Sequence, residues 1–351
     1  MTNKRYKKII FINFFIFLLF IIFIEVSLRL FLSRRNFPKL AIFEFTEKVK
    51  TYIDVNQFGG TKTITNLPEY KCFNEAYSNK NKYLNEILYS KYENGFKEFL
   101  EVSNNSKIIL LYLPSDEEDL HKSFFNKIAN KYSVEFFDLS KDIRNSSEFN
   151  VWSLHPQNGH LSRFANQIIA KKISLKTAQI FKKREVKVKQ KNIDLKQINS
   201  TLMANKSNIW NIMPSMPYRV YTNKNGFRNQ ENIRKDANHI IVYGDSFTFG
   251  PYLPNHDTYT PLSNKYSEEL FPNLKLQFLN AGISGTTIFH QIEILKSTIK
   301  LNPELIFLQV LDNDISGVFY LSMRRMSPVK IYDKKLFKPS NQERDFISQC
   351  R

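Results

Sequence analysis

Short runs of apolar residues alternate along the chain with longer segments in which apolar residues recur at helical spacing. Buried strands are predicted at 107–114, 134–139, 239–243, 276–279 and 305–311. Helices are predicted at 83–102, 121–132, 161–182, 257–270 and 286–300. Strands that alternate with helices favour a parallel, doubly wound sheet. We therefore expect an α/β, flavodoxin-like, three-layer fold with a parallel five-stranded sheet that binds ligands at the carboxyl ends of its strands.

The N-terminus carries a different pattern. The first sixteen residues of the segment 9–32 include one polar side chain, Asn13. About 20 apolar residues span a bilayer, so this run predicts a single transmembrane helix. Four basic residues in the preceding segment, 1–8, favour a cytoplasmic N-terminus and an extracytoplasmic location for the rest of the chain. A cleaved signal peptide is the rival interpretation, but the run lacks a small-x-small cleavage site.

The net charge of the chain raises the question of a nucleic-acid partner. Lys and Arg number 51 against 33 Asp and Glu, a formal net charge of +18. No arginine-rich helix, zinc-finger spacing or RNA-binding aromatic signature accompanies this charge, so we expect no nucleic-acid partner. No His/Cys cluster has metal-ligand spacing and no nucleotide-binding glycine loop occurs, so neither a metal nor a cofactor is expected. A disulfide between Cys72 and Cys350 stays an open question.

Three predicted strands run directly into polar motifs. The strand 239–243 leads into Gly-Asp-Ser246, a tight turn that presents a hydroxyl as a nucleophile requires. The strand 276–279 leads into Asn-Ala-Gly282, and the N–H of Gly282 can approach an oxyanion. The strand 305–311 leads into Asp-Asn313-Asp, where the side-chain amide of Asn313 offers a second donor. A serine after a strand often only caps a helix. Three such motifs at consecutive strand ends favour a catalytic site.

These motifs resemble, in order and spacing, the blocks of the SGNH (GDSL-like) hydrolases. Residues 223–228, Asn-Lys-Asn-Gly-Phe-Arg, are similar to the lead-in of membrane-anchored bacterial members. The resemblance implies that Ser246 is the nucleophile. It also implies an oxyanion hole made by the N–H groups of Ser246 and Gly282 and the amide of Asn313. The implied reaction hydrolyses or transfers an acyl group, expected to be acetyl, from an ester on an envelope glycan or lipid.

The family's histidine block is expected after Asn313, but the chain has no histidine there. Residues 158–162, Asn-Gly-His-Leu-Ser, resemble that block and lie upstream instead. His160 is therefore the implied general base, with His155, which precedes a proline, as the alternative. Asn158 stands where the family has an aspartate that orients the histidine.

An amide can fix the tautomer of a histidine, but it does not stabilise an imidazolium as a carboxylate does. Either a Ser-His dyad or a carboxylate recruited from elsewhere is therefore expected, with Asp138 and Asp142 as candidates. The same substitution, Asn158 for an acid, motivates an alternative function, a catalytically inactive SGNH domain that binds glycans. A plain envelope scaffold is a third hypothesis.

The order of the blocks predicts a circularly permuted domain. The segment 36–178 would supply the C-terminal half of the fold, with its fourth and fifth strands, and 217–351 the N-terminal half. Residues 179–216 form a basic connector. Closure of the sheet within one chain is favoured because domain termini are often adjacent. Pairing of the two halves between chains is the alternative, and the oligomeric state stays open.

Other polar residues have simpler interpretations. Asp245 is expected to accept a hydrogen bond from the backbone of its turn, and Asp312 and Asp314 can equally cap loops or take part in function. The remaining histidines have no motif around them and are expected to be structural: His121, His239, His256 and His290.

Overall fold

A computed structural model describes residues 72, 75–77, 81–104, 106–114, 119–145, 160–185, 194–195, 207–210, 218–323, 341–342 and 345. All of them fall in the unit Thr51–Arg351. The predicted transmembrane segment, residues 9–32, lies outside the described residues, as does nearly all of the stretch from 36 to 80. Within the described part, no helix is long and apolar enough to cross a membrane. Cys72 is disulfide-bonded, while Cys350 lies outside the described residues.

The order of elements agrees closely with the predicted alternation. The helices are α1 (Lys82–Val102), α2 (Lys122–Lys131), α3 (Ser140–Arg144), α4 (Arg163–Lys183), α5 (Ser246–Phe249), α6 (Tyr259–Leu270), α7 (Ile288–Thr298) and α8 (Asn313–Met323). The strands are β1 (Lys107–Tyr112), β2 (Glu135–Asp138), β3 (Ser207–Trp210), β4 (Tyr218–Tyr221), β5 (Asn238–Tyr243), β6 (Leu276–Asn280) and β7 (Leu305–Val310).

Five strands form one parallel sheet in the order β2-β1-β7-β5-β6. If β5 is counted as strand 1, then β6, β7, β1 and β2 are strands 2 to 5. The order across the sheet is then 2-1-3-4-5, as in flavodoxin-like folds. The predicted α/β fold with a parallel five-stranded sheet is confirmed. The pairing of β1 with β7, from Lys107 opposite Leu305 to Tyr112 opposite Val310, joins the two halves of the sequence within one chain.

The sheet is buried on both faces, which explains why its strands read as continuous apolar runs. Alternate strand residues, such as Leu110 and Ile241, pack with α1, α2, α7 and α8. Their neighbours, such as Ile109 and Ile240, pack on the other face with α3, α4 and α6. Each fully buried side chain of this kind stabilises the fold by about 1.5–3 kcal/mol. The described part of the unit Thr51–Arg351 therefore has three layers, with the sheet in the middle.

Five of these elements are absent from the sequence-based prediction: the short helices α3 and α5, the strands β3 and β4, and helix α8. β3 lies inside the expected connector, 179–216, and pairs antiparallel with β4, just beyond its end. Both strands have four residues, too few to show a clear period. Helix α8 contains Gly317, which lowers helix propensity. The glycine is explained by packing, because an added Cβ would lie 3.1 Å from Thr287 Cγ2.

Candidate active site

The turn after β5 presents Ser246 at the carboxyl end of the sheet. Asp245 caps α5, since its Oδ1 accepts the Phe247 N–H at 2.9 Å. Ser246 is the first residue of this short helix and is half-buried. Gly250 ends the helix with φ +75°, a left-handed conformation that favours glycine. The turn thus holds the hydroxyl at a fixed place above a fully buried strand.

Gly244 allows the close packing beneath this turn. A Cβ at Gly244 would lie 2.2 Å from Thr248 Oγ1 and 2.3 Å from Gln309 Oε1. The buried Gln309 oxygen accepts both the Asp245 N–H (3.2 Å) and the Thr248 hydroxyl (3.0 Å). The end of β7 therefore braces the serine turn from below.

Gly282 follows β6 and packs directly against α5. An added Cβ would lie 2.5 Å from the Phe249 nitrogen and 2.6 Å from Thr248 Cβ, so no larger residue fits. Its N–H donates to Asn280 Oδ1 at 3.0 Å. The predicted oxyanion donor thus lies beside the serine helix, with its hydrogen directed to a neighbouring side chain.

Asn313 begins α8 and is exposed. Its Nδ2 donates to Asp245 Oδ2 at 3.3 Å, and the Ser246 hydroxyl donates to the same oxygen at 3.4 Å. The structure therefore brings Ser246 and Asn313 together around one carboxylate oxygen. Asp314 Oδ2 accepts the Leu311 N–H at 2.9 Å, which ties the start of α8 to the backbone just after β7.

His160 reaches the same turn from a distant part of the sequence. Its half-buried ring lies 5.5 Å, centroid to centroid, from the rings of both Phe247 and Tyr252. The buried Asn166 fixes this approach, because its Nδ2 donates to the Ser162 carbonyl (2.8 Å) while its Oδ1 accepts the Tyr259 N–H (2.8 Å). The start of α4 is thereby tied to the start of α6.

Arg228, from the Asn-Lys-Asn-Gly-Phe-Arg lead-in, is fully buried behind the site. Its guanidinium donates to the carbonyls of Phe249, Gly250 (2.7 Å) and Leu253 (2.6 Å). Its Nε donates to Asn255 Oδ1 at 3.2 Å. These bonds hold the segment that carries Tyr252, whose ring packs on His160. The motif noticed in the sequence therefore shapes the backbone that follows α5.

Two buried carboxylates lie close together under the site. Burial raises the pKa of Asp314 well above its ordinary value, and the nearby charge of Asp245 raises it further. Burial also raises the pKa of Asp245, but the Phe247 N–H, attraction to His160 and the Asn313 amide oppose that rise. Asp314 is therefore the better holder of a proton, and Asp245 the better holder of a negative charge.

The other predicted site residues are placed as follows. Asn158 and His155 lie outside the described residues. Asp138 pairs with Lys122 at 2.5 Å and accepts the Ser140 hydroxyl at 2.6 Å. Asp142 pairs with Lys172. The structure therefore gives both candidate recruited carboxylates lysine partners.

Three of the four remaining histidines have structural contacts. His121 is buried, and its ring nitrogens bond to the hydroxyls of Tyr77 (2.7 Å) and Tyr89 (2.9 Å). His290 Nδ1 accepts the Thr287 N–H at 2.9 Å in a capping box. His239 is also buried and bonds to a backbone carbonyl. The side chain of His256 is 74% exposed.

Sequence reasoning missed several residues of the site. The aromatic pair that packs on His160, Phe247 and Tyr252, carries no motif of its own. The hydrogen bond of Asp245 with Asn313 joins residues 68 positions apart, which no local pattern reveals. Among the described residues, no group of three or more His, Cys, Asp or Glu side chains is arranged to hold a metal ion.

Comparisons with protein-family models, with curated proteins and with solved structures found no match to this chain.

Proposed function

We propose that this protein is a serine esterase of the SGNH type that hydrolyses or transfers an acyl group, expected to be acetyl, on an envelope glycan or lipid. The observation that supports the proposal is the convergence of three segments on the turn after β5: Ser246 and Asn313 both donate to Asp245 Oδ2, and the His160 ring packs on Phe247, the residue after Ser246. The three come from separate segments and share the edge of a parallel sheet where ligands bind. Their residue types match those the SGNH resemblance implies.

The chemistry follows the general pattern of acyl transfer through serine. His160 takes the proton from Ser246 Oγ as this oxygen attacks the ester carbonyl carbon. The resulting oxyanion accepts hydrogen bonds from the Ser246 N–H and Asn313 Nδ2, and competes with Asn280 Oδ1 for the Gly282 N–H. His160 then returns the proton to the leaving alcohol, which leaves an acyl-serine. Water or a sugar hydroxyl next attacks the acyl carbon and restores Ser246.

The placement of this domain at a membrane is part of the proposal. The apolar segment 9–32 and its basic flank would anchor the chain and direct residues 36–351 out of the cytoplasm. The disulfide at Cys72 supports an oxidising compartment. An anchored esterase on that side would meet the glycans and lipids of the envelope as substrates.

The test uses the full chain in detergent, with fluorophosphonate labelling and p-nitrophenyl acetate hydrolysis as readouts. We expect wild type to be labelled, Ser246→Ala to lose all labelling, and His160→Ala to lose about a thousandfold in rate. Ser284→Ala, a serine in the loop after Gly282, and His155→Ala are matched controls that keep the activity. Added sugar acceptors that take up the acyl group would identify a transferase.

A folded wild type that is neither labelled nor faster than Ser246→Ala would contradict the esterase. The alternative, an inactive SGNH domain that binds envelope glycans, would then be favoured by glycan binding without turnover. Asn158 in place of an acid and the engaged Gly282 N–H are the observations behind that alternative.

A further inference from the structure

The serine turn contains a buried carboxylate for which the esterase mechanism above has no role. We propose that Asp245 supplies the negative charge that stabilises protonated His160, in place of the acid that Asn158 replaces. The inference rests on the proposed function and goes beyond it, because it assigns the electrostatic partner of the base.

The two oxygens of Asp245 have different surroundings. Oδ1 faces the interior of the turn and accepts the Phe247 N–H at 2.9 Å. Oδ2 faces the site, where the Ser246 hydroxyl (3.4 Å) and Asn313 Nδ2 (3.3 Å) both donate to it. One carboxylate oxygen therefore contacts both the proposed nucleophile and a proposed oxyanion donor.

His160 lies over the same turn. Its ring packs against the ring of Phe247, the residue whose N–H holds the other oxygen of Asp245. Burial raises the pKa of Asp245, and the Phe247 N–H and the charge of His160 both oppose that rise. Asp245 is only 4% exposed, so water screens the interaction of the two charges poorly. A positive charge that develops on the imidazole during proton transfer would thus be stabilised by the negative charge of Asp245.

Other acidic groups near the site are less suited to this role. Asp312 is buried and accepts the Tyr112 hydroxyl (2.9 Å) and the Leu120 (2.8 Å) and His121 (3.0 Å) N–H groups. Asp314 is the carboxylate on which burial and a neighbouring charge favour the proton. Asp138 and Asp142 have lysine partners.

The titratable groups that face Asp245 are few among the described residues. They are His160, Asp314 and the buried phenols of Tyr92 and Tyr259. Burial raises the pKa of both phenols, and the charges of Asp314 and Asp245 raise that of Tyr92 further, as the charge of Asp245 does for Tyr259. Both phenols therefore stay neutral through the range in which a histidine titrates. Burial and the charge of Asp245 favour the proton on Asp314, so Asp245 is the better holder of a negative charge in this set.

In the proposed step the proton moves from Ser246 Oγ to His160 and Asp245 stays ionised throughout. No proton passes to the carboxylate, so its whole contribution is to favour the imidazolium. Removal of its charge should lower the pKa of His160 and slow acylation.

The experiment is an NMR titration of ¹³C-labelled histidine in the full chain, which has six histidines. His160→Gln identifies the resonance. Asp245→Asn keeps an oxygen to cap α5 but removes the charge, and we expect it to lower the pKa of His160 by about one pH unit. The matched control is Asp314→Asn, which replaces the carboxyl on which burial and the charge of Asp245 favour the proton, and which should change the pKa of His160 much less. Should Asp245→Asn fail to fold, Asp245→Ser keeps a capping oxygen and gives the same reading.

An unchanged His160 titration in the Asp245 variants, or an equal fall in Asp314→Asn, would overturn the inference. Because the titration needs no turnover, it is independent of whether the esterase assay succeeds. With an active wild type we also expect Asp245→Asn to lose about tenfold in kcat on the plateau of the pH profile and to have its acidic limb at lower pH, because a histidine with a lower pKa is a weaker base but stays unprotonated to lower pH. A uniform loss at every pH would instead indicate a structural role and count against the inference.

Discussion

The carboxyl ends of the five strands hold polar side chains of two kinds. We call residues 160, 244–250, 280–285 and 313 the serine side, and residues 119–122 and 138–142 the ion-paired side. On the serine side Ser246 is half-buried and Asn313 is exposed. On the ion-paired side Asp138 is held by Lys122 and Ser140, and Asp119 by Arg144 at 3.0 Å.

The same contrast separates two histidines. His121, on the ion-paired side, is buried with both ring nitrogens bonded to tyrosine hydroxyls. His160, on the serine side, is half-buried against two aromatic rings, one of them in the serine turn. Position at the carboxyl edge of a sheet is therefore not enough to make a site. Polar groups must also lie where a ligand can reach them, as Asn313 does.

The largest effect on stability and activity is expected from a substitution that disturbs the close packing of the serine side. Gly282→Ala would place a Cβ 2.5 Å from the Phe249 nitrogen, and we expect a loss of about 3 kcal/mol in the free energy of unfolding together with loss of esterase activity. Gly285→Ala is the control: its φ is +74° but no atom lies within 4 Å, so it should cost about 1 kcal/mol. Urea unfolding measures both. Equal losses would show that backbone strain, and not packing on α5, governs this loop.

On the ion-paired side, a lower pH should reduce the free energy of unfolding by an intermediate amount. Burial lowers the pKa of His121 to about 4, below the 6.5 of an unfolded histidine, so the unfolded chain binds the proton first. The contribution of His121 to the free energy of unfolding is complete above pH 6.5. It falls as the pH drops towards 4, and about 2 kcal/mol is lost at pH 5.

Burial lowers the pKa of His290 to about 3, which acts in the same direction. Urea unfolding at pH 7.5 and pH 5 should therefore give a smaller difference for His121→Gln than for wild type. The same pH dependence in both proteins would show that His121 does not titrate as its buried position requires.

The smallest effects are expected for the ion pairs themselves. Asp138→Asn and Asp142→Asn remove partly exposed pairs with Lys122 and Lys172. Each should cost less than about 1 kcal/mol in the free energy of unfolding and change the esterase rate by less than about twofold. Assays of the purified variants decide this. A tenfold loss of rate in either would make that residue, and not Asp245, the acid that supports catalysis.

The sequence predicted the secondary structure of the sheet domain well because its strands are buried on both faces and its helices have regular apolar spacing. It also predicted that Ser246, Gly282 and Asn313 follow strands directly. Parallel strands then bring these residues to one edge without further information. The hairpin β3–β4 and helix α8 escaped prediction because short strands and an internal glycine leave no clear period.

The remainder of the site depends on contacts between distant segments. Asn166 ties the start of α4 to α6, and Arg228 holds the segment that carries Tyr252. These contacts decide where His160 lies, and the bond of Asn166 to Tyr259 joins residues 93 positions apart in the sequence. The lead-in motif of Arg228 was visible, but its role as a brace was not.

By itself, the sequence determined the α/β alternation, the strand-end motifs and the block around His160, because each depends on local pattern and residue type. Only the tertiary structure decided that both halves of the chain share one sheet and that Asp138 and Asp142 pair with lysines. It also decided that the Asp245 carboxylate lies between Ser246 and Asn313. The physical reason is that hydrogen bonds and burial act between residues that the fold brings together, and a single sequence does not record those distances.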